Sequence, residues 1–301
     1  PDEGELKLLR GGAGLIEDQS QCPFRAFAHG RLRVSPLPEP VVGLSAAERG
    51  TLVHEALQAF WQETGDHASL LAMEEDSLRG AIERAVAIAL RTVPGYRRIA
   101  LGVTCIELES QRLLSLLQDW LAIERQRGEF KVAEIESSVE LQLLSLPVRL
   151  RVDRIDELAD GSRVIIDYKT GRCRVSDWLG ERPAKPQLLL YGLTAETPPA
   201  ALAFAQVRPG ENSYIGLGQA EGIPGIKTDI NGQFKDGEGP ADWHALNEQW
   251  QDQLHQLAAE FLAGRAVVEP QRNACLWCGL QSLCRVDDLR TEQNDVGSGH
   301  D

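Results

Sequence analysis

The chain of 301 residues is poor in several things. It holds one methionine, Met73, and opens on Pro1, so it reads as a piece of a longer protein, and a missing leader segment says nothing about targeting. No stretch approaches the roughly 18 consecutive apolar residues of a membrane-spanning helix, which excludes that class. Positive charge is scarce: 31 Lys and Arg stand against 45 Asp and Glu, a net charge of −14. A generic basic coat for nucleic acid is thereby excluded, though a locally basic groove is not. There is no internal repeat. What remains is ordinary for a globular protein, 43% hydrophobic and 25% charged, with a length that suits two domains or one large one with insertions.

Cysteine is sparse but unevenly placed. Six occur, at 22, 105, 173, 275, 278 and 284, and three of them fall within ten residues. That spacing reads as metal or cluster ligation before a disulfide framework, and a reducing cytoplasm is the expected compartment.

Residues 1–44 read as polar loop with one short apolar stretch and a run, Ser35-Pro36-Leu37-Pro38-Glu39-Pro40, that no helix interior tolerates. Ser45 then stands in capping position with Glu48 three residues on, followed by Val53, Leu57 and Phe60 at helical spacing. Further helices are predicted near 76–91 and 104–127, so that 64–130 forms a helical insertion. The period then falls to two: Leu146, Val148, Leu150 and Val152 alternate with polar partners. Asp160-Gly161 predicts a hairpin turn, and Val164-Ile165-Ile166 a strand buried on both faces at the centre of a sheet. Pro186 opens a helix with Gln187 and Tyr191, 200–218 carries two strands about Pro209-Gly210, and Trp243–Leu262 is a long amphipathic helix. Residues 291–301 read as a polar tail.

The most informative segment is Asp153-Arg154-Ile155-Asp156, a turn, then Asp167-Tyr168-Lys169-Thr170-Gly171. Asp167 and Lys169, two apart on a strand, leave the same face, and Asp153 on the neighbouring strand comes close to Asp167. Converging carboxylates make a hard-oxygen site suited to Mg²⁺ or Mn²⁺, and a lysine beside them supplies a cation for a developing phosphorane. Phosphodiester hydrolysis needs that equipment. Asp156 reads as a structural partner of Arg154. Arg149, Arg151, Arg154, Lys169, Arg172 and Arg174 are expected to form a basic strip nearby.

An acid on a hairpin strand, then Asp-Tyr-Lys-Thr-Gly, then Gln187-x-x-x-Tyr191, resembles the PD-(D/E)XK nuclease superfamily, and within it the RecB/AddB-type nuclease domain of bacterial recombination-repair helicase–nucleases. Gly50-Thr51-Leu52-Val53-His54-Glu55 is similar to that family's helix bearing a metal-binding histidine, and Cys22-Pro23-Phe24-Arg25 with the late cysteines extends the likeness over almost the whole chain. The resemblance implies that His54, Asp153, Asp167 and the backbone carbonyl of Tyr168 ligate Mg²⁺ or Mn²⁺. It implies that Lys169 is the catalytic cation, and that Gln187 and Tyr191 contact the DNA strand or support the lysine.

Cys275, Cys278 and Cys284 supply three soft ligands in one segment, a spacing that suits zinc poorly and an iron–sulfur cluster better. Through the resemblance, Cys22 is the fourth, giving a [4Fe–4S] staple that ties the two ends together across about 250 residues. The expected architecture is therefore an α/β, restriction-endonuclease-like core over 1–290: a mixed central sheet flanked by helices, a helical insertion and cluster-stapled termini. The expected function is a Mg²⁺-dependent deoxyribonuclease acting on single-stranded DNA ends fed by a helicase portion or subunit, bacterial, cytoplasmic and nucleoid-associated. The alternatives are a DNA- or partner-gripping module on an inactive nuclease fold, and a free-standing nuclease like those of CRISPR adaptation. The intact acid–lysine set favours the enzyme, and the missing initiator methionine favours a domain of something larger.

Overall fold

The computed structural model describes residues 12–37, 41–195, 197–235 and 238–288. The expected polar tail and Pro38, Glu39 and Pro40 of the proline-rich run lie outside the described residues. Two short helices come first, α1 (Ala13–Gln21) and α2 (Pro23–Ala26), then a π-helical turn at Phe27–Arg31. The reading of this stretch as loop is corrected, and the reason is chemical. α1 buries Gln19 and Ser20 beside Leu15 and Ile16, and Ser20 Oγ donates to the Pro183 carbonyl at 2.6 Å. Polar residues bonded across the chain leave no apolar period to read.

The capping box forms as expected. Ser45 Oγ accepts from the Glu48 N–H at 3.2 Å, and Glu48 Oε2 accepts from the Ser45 N–H at 2.7 Å, starting α3 (Ala46–Thr64). α4 (His67–Ala72), α5 (Glu75–Thr92) and α6 (Gly95–Glu124) follow. α6 starts nine residues before the predicted 104 and breaks at Gly102, whose φ of 74° is left-handed. Its first part carries exposed Tyr96 and Ile99, which blur the amphipathic pattern.

Six strands make one mixed sheet in chain order: β1 (Phe130–Leu143), β2 (Leu146–Leu158), β3 (Arg163–Lys169), β4 (Ala201–Gln206), β5 (Ser213–Gly218) and β6 (Ile226–Lys227). β1, β2 and β3 pair antiparallel, β3 and β4 parallel through the crossover helix α7 (Gln187–Gly192), and β4 with β5 antiparallel. β3 is central and buried on both faces, as Val164-Ile165-Ile166 predicts. β1 has no place in the sequence reading, because it is an edge strand whose charged residues, exposed Lys131 and Glu140 and half-buried Glu134 and Glu136, break up any apolar alternation.

The sheet separates two cores. Against one face lie α3, α5 and α6, with Trp61, Trp120 and Leu117 fully buried beside Val164 and Ile166. Against the other lie α1, α7 and α8 (Trp243–Leu262), with Trp178, Trp250 and Phe261 beside Ile165, Leu202 and Phe204. β3 ends at Lys169, while β2 runs through Asp153 paired to β1 along both sides of that residue.

Candidate active site

Strand register builds the site. The β1–β2 ladder pairs Ile135 with Arg154 and Ser137 with Val152, which sets Glu136 opposite Asp153. The β2–β3 ladder runs from Glu157–Arg163 to Arg154–Ile166 and stops there, one residue short of Asp153 and Asp167. At that point Asp153 takes over from the backbone: its Oδ2 accepts the Tyr168 N–H at 2.7 Å. Glu136, Asp153 and Asp167 thus stand on three adjacent strands at one level of the sheet.

Helix α3 delivers the imidazole. His54 Nδ1 lies 3.3 Å from Asp153 Oδ1, and its ring meets the Tyr168 ring edge-on at a centroid distance of 6.0 Å. Burial opposes charging of His54, but the hydrogen bond and charge of Asp153 outweigh it and raise its pKa. His54, Glu136 and Asp153 bring one ligand atom each within 4.8 Å of one another, a group that offers two carboxylates and an imidazole to one cation. Asp167 stands beside this group with its Oδ2 2.6 Å from Lys169 Nζ. Burial pushes its carboxyl up to about 6, although the Lys169 ammonium pulls the other way. Burial also disfavours the Lys169 charge, yet Asp167 prevails and raises its pKa, so the lysine stays an ammonium.

Gln187, in the first turn of α7, accepts a hydrogen bond from Lys169 Nζ at 3.2 Å and so supports the lysine. Tyr191, one turn on, is buried, and its hydroxyl donates to the Ser137 carbonyl at 3.0 Å, tying α7 to β1 beside Glu136.

Two residues escaped the sequence reading. Glu136 sits with a left-handed φ of 51° and pairs with Arg151. Its role becomes visible only when β1 is recognised and the register puts it across from Asp153. Glu17 of α1 feels Lys185 and Lys169, and burial raises its pKa. The expected basic strip does not form: Arg154 is 1% exposed within a buried ion-pair network, Arg151 pairs with Glu136 and Arg172 with Glu211. Arg149 and Arg174 are exposed.

Cys22, Cys275, Cys278 and Cys284 line one small cavity with Phe24, Arg25 and Leu280, while Cys105 and Cys173 lie outside it. The segments that carry them are joined by backbone bonds, Phe24 N–H to the Val267 carbonyl at 3.0 Å and Gln271 N–H to the Gln21 carbonyl at 2.8 Å.

The family model for the PD-(D/E)XK nuclease superfamily matches residues 14–285, a span from α1 to the last cysteine. The chain belongs to the PD-(D/E)XK nuclease superfamily. Its mixed six-stranded sheet with flanking helices is consistent with the restriction-endonuclease-like core of that superfamily. Among solved structures it is similar to the crystal structure of SSO0001, at 12% identity over 91% of this chain and 95% of that one, with a TM-score of 0.32. No curated protein matches. Membership in this superfamily marks the chain as a nuclease of a class that works with divalent metal, and the His54–Glu136–Asp153 group is a carboxylate and imidazole set of the kind such an ion requires. No helix among the described residues is long and apolar enough to cross a membrane.

Proposed function

We propose that the protein is a Mg²⁺- or Mn²⁺-dependent deoxyribonuclease of the RecB/AddB type that shortens single-stranded DNA ends supplied by a helicase portion or subunit in recombination and repair. The observation that carries this reading is the row Glu136, Asp153 and Asp167 at the end of the β2–β3 ladder, with Lys169 held charged beside it. His54, Asp153, Asp167 and the Tyr168 carbonyl would hold the cation, with Glu136 in reach as a further acid. Such an ion, when bound, neutralises phosphate charge and acidifies a water.

The chain's own groups do the rest. Asp167 and Gln187 Oε1 fix the Lys169 ammonium from two sides, so that it meets the negative charge growing on the phosphate oxygens without reorganising. Asp153 is aimed by the Tyr168 N–H and in turn orients His54. Tyr191 and Gln187 lock α7 against β1 and β2, which keeps the lysine's support in place.

The cysteine cavity supports a [4Fe–4S] staple by its donors. Four thiols face it with no carboxylate or imidazole among the lining residues. A single tetrahedral zinc needs sulfurs about 3.8 Å apart, from bonds of about 2.3 Å. The free space between these thiols is about 20 Å³, room for about one water.

The test uses anaerobically purified protein with end-labelled single strands and Mg²⁺ or Mn²⁺. Shortening that EDTA stops and Lys169→Ala abolishes is the expected result. DNA binding without cleavage by the metal-loaded wild type would instead make the chain a gripping module on an inactive fold.

A further inference from the structure

Behind Asp153 and Asp167 lies a second constellation, whose side chains take no part in the chemistry above. Arg154 and Asp156 of β2, Tyr168 of β3, Tyr214 of β5, Glu124 at the end of α6 and Arg127 just beyond it are all buried. Arg154 makes the central contacts. Its Nε and Nη2 donate to the two Asp156 oxygens at 2.6 and 2.7 Å, and its Nη1 donates to Glu124 Oε1 at 2.8 Å and to the Tyr168 hydroxyl at 3.1 Å. Arg127 Nη1 reaches Asp156 at 2.7 Å and Glu124 at 3.1 Å, while the Tyr214 hydroxyl donates to Glu124 Oε1 at 2.8 Å. The Arg154 guanidinium lies 4.0 Å from the Trp61 ring centroid, and that of Arg127 lies 4.1 Å from the Phe130 ring centroid.

Two guanidinium groups and two carboxylates, at most 1% exposed, are expensive to desolvate, and apolar side chains of the same volume often serve stability as well or better. What such groups add is a fixed geometry. Here the geometry bears on the site, because Arg154 follows Asp153 in the chain and Tyr168 separates Asp167 from Lys169. The Tyr168 backbone N–H holds Asp153, and the hydroxyl at the other end of the same residue is held by Arg154. The β2–β3 ladder has already ended at Arg154–Ile166, so although β2 stays paired to β1 and β3 to β4, no backbone bond between β2 and β3 sets their separation beyond that pair.

We propose that Tyr168 is a positioning residue: the Arg154–hydroxyl contact, anchored by Glu124 and Asp156, replaces the missing ladder bonds and sets the spacing of Asp153 from Asp167. This rests on the reading of those two acids as metal ligands. Tyr214 has the same kind of buried hydroxyl in the same network but lies on β5, away from both acids, so it separates positioning from simple stability.

The experiment compares wild type, Tyr168→Phe and Tyr214→Phe by Mn²⁺ titration calorimetry, thermal melting and steady-state cleavage of a labelled single strand. Both variants keep the Arg154–Glu124–Asp156 core and should fold with similarly lowered melting temperatures. Tyr168→Phe should weaken Mn²⁺ binding about tenfold, the scale of lost support behind a metal ligand, and lower kcat with KM for DNA unchanged. Tyr214→Phe should bind Mn²⁺ as the wild type does. Wild-type Mn²⁺ affinity in Tyr168→Phe, or equal weakening in both variants, overturns the positioning role while leaving the site standing. A wild type that binds no Mn²⁺ overturns the site and the inference together.

Discussion

Replacing Asp167 by asparagine should make the metal-free protein more stable at neutral pH while disabling it. The carboxyl is 2% exposed, and its burial raises the pKa from 3.8 to about 6 even with the Lys169 ammonium at 2.6 Å. The folded state therefore binds this proton more tightly than the unfolded chain does. Folding is favoured while the acid is protonated, below about pH 4, and stability is lost as pH rises from there through about 6. About two pKa units at about 1.4 kcal/mol each amount to about 3 kcal/mol of penalty above that window. Lys169's attraction is already contained in the pKa of about 6, so its loss is not a separate cost. Asparagine keeps the shape of the protonated acid and carries no charge at any pH.

Urea titrations in EDTA at pH 4, 5, 6 and 7 should show the two proteins converging at pH 4. At pH 7 the Asp167→Asn midpoint should lie higher by roughly 1 M, given urea slopes of about 3 kcal/mol per M for a chain this size. Adding Mn²⁺ should then stabilise the wild type and not the variant, since only the charged site gains from the ion. A variant no more stable than wild type at pH 7, or an advantage that does not change between pH 4 and 7, would refute the argument that burial dominates at Asp167.

His54→Ala and Glu136→Gln should each weaken Mn²⁺ binding about tenfold by calorimetry, because their ligand atoms share one group with Asp153; unchanged affinity in both would dissolve the group. Anaerobically purified protein should be brown, with broad absorbance near roughly 400 nm and about four iron and four sulfide per chain. Cys22→Ser should lose most of both and open the chain to protease near 265–288, whereas stoichiometric zinc, or full iron in Cys22→Ser, would end the cluster reading. Ser45→Ala removes a cap bond from the helix that carries His54 and should cost about 1 kcal/mol, or roughly 2–4 °C in melting temperature. An unmoved melting temperature would show that packing of Val53, Leu57 and Phe60 alone holds that helix.

Elements whose chemistry is local were legible in the sequence. Ser45 with Glu48 wrote the start of α3, Asp160-Gly161 the β2–β3 turn, and the apolar period of Trp243–Leu262 the whole of α8. Elements fixed by distant partners were not. β1 is a half-buried edge strand whose charges hide its alternation, so Glu136 stayed invisible although it faces Asp153. α1 buries Gln19 and Ser20 through bonds to residues far along the chain. Arg154 misled in the opposite way: its charge reads as a DNA contact, but Glu124, thirty residues upstream, and Asp156 draw it inside.

The alternation of β strands explains how so much chemistry and so much scaffold fit into two short segments. Along 153–156 and 167–169, residues of odd number, Asp153, Asp167 and Lys169, belong to the reactive group, and those of even number, Arg154, Asp156 and Tyr168, to the buried network. A slip of one residue in either strand would exchange the reactive set and the network between the two faces of the sheet. The buried charges therefore act against slippage more strongly than apolar side chains would, because a misplaced Arg154 or Asp156 leaves an unpaired charge, whereas a misplaced valine leaves only lost area. The sheet's register and the reactive geometry are two consequences of one pattern. That is why the acids converge where the backbone ladder has already stopped.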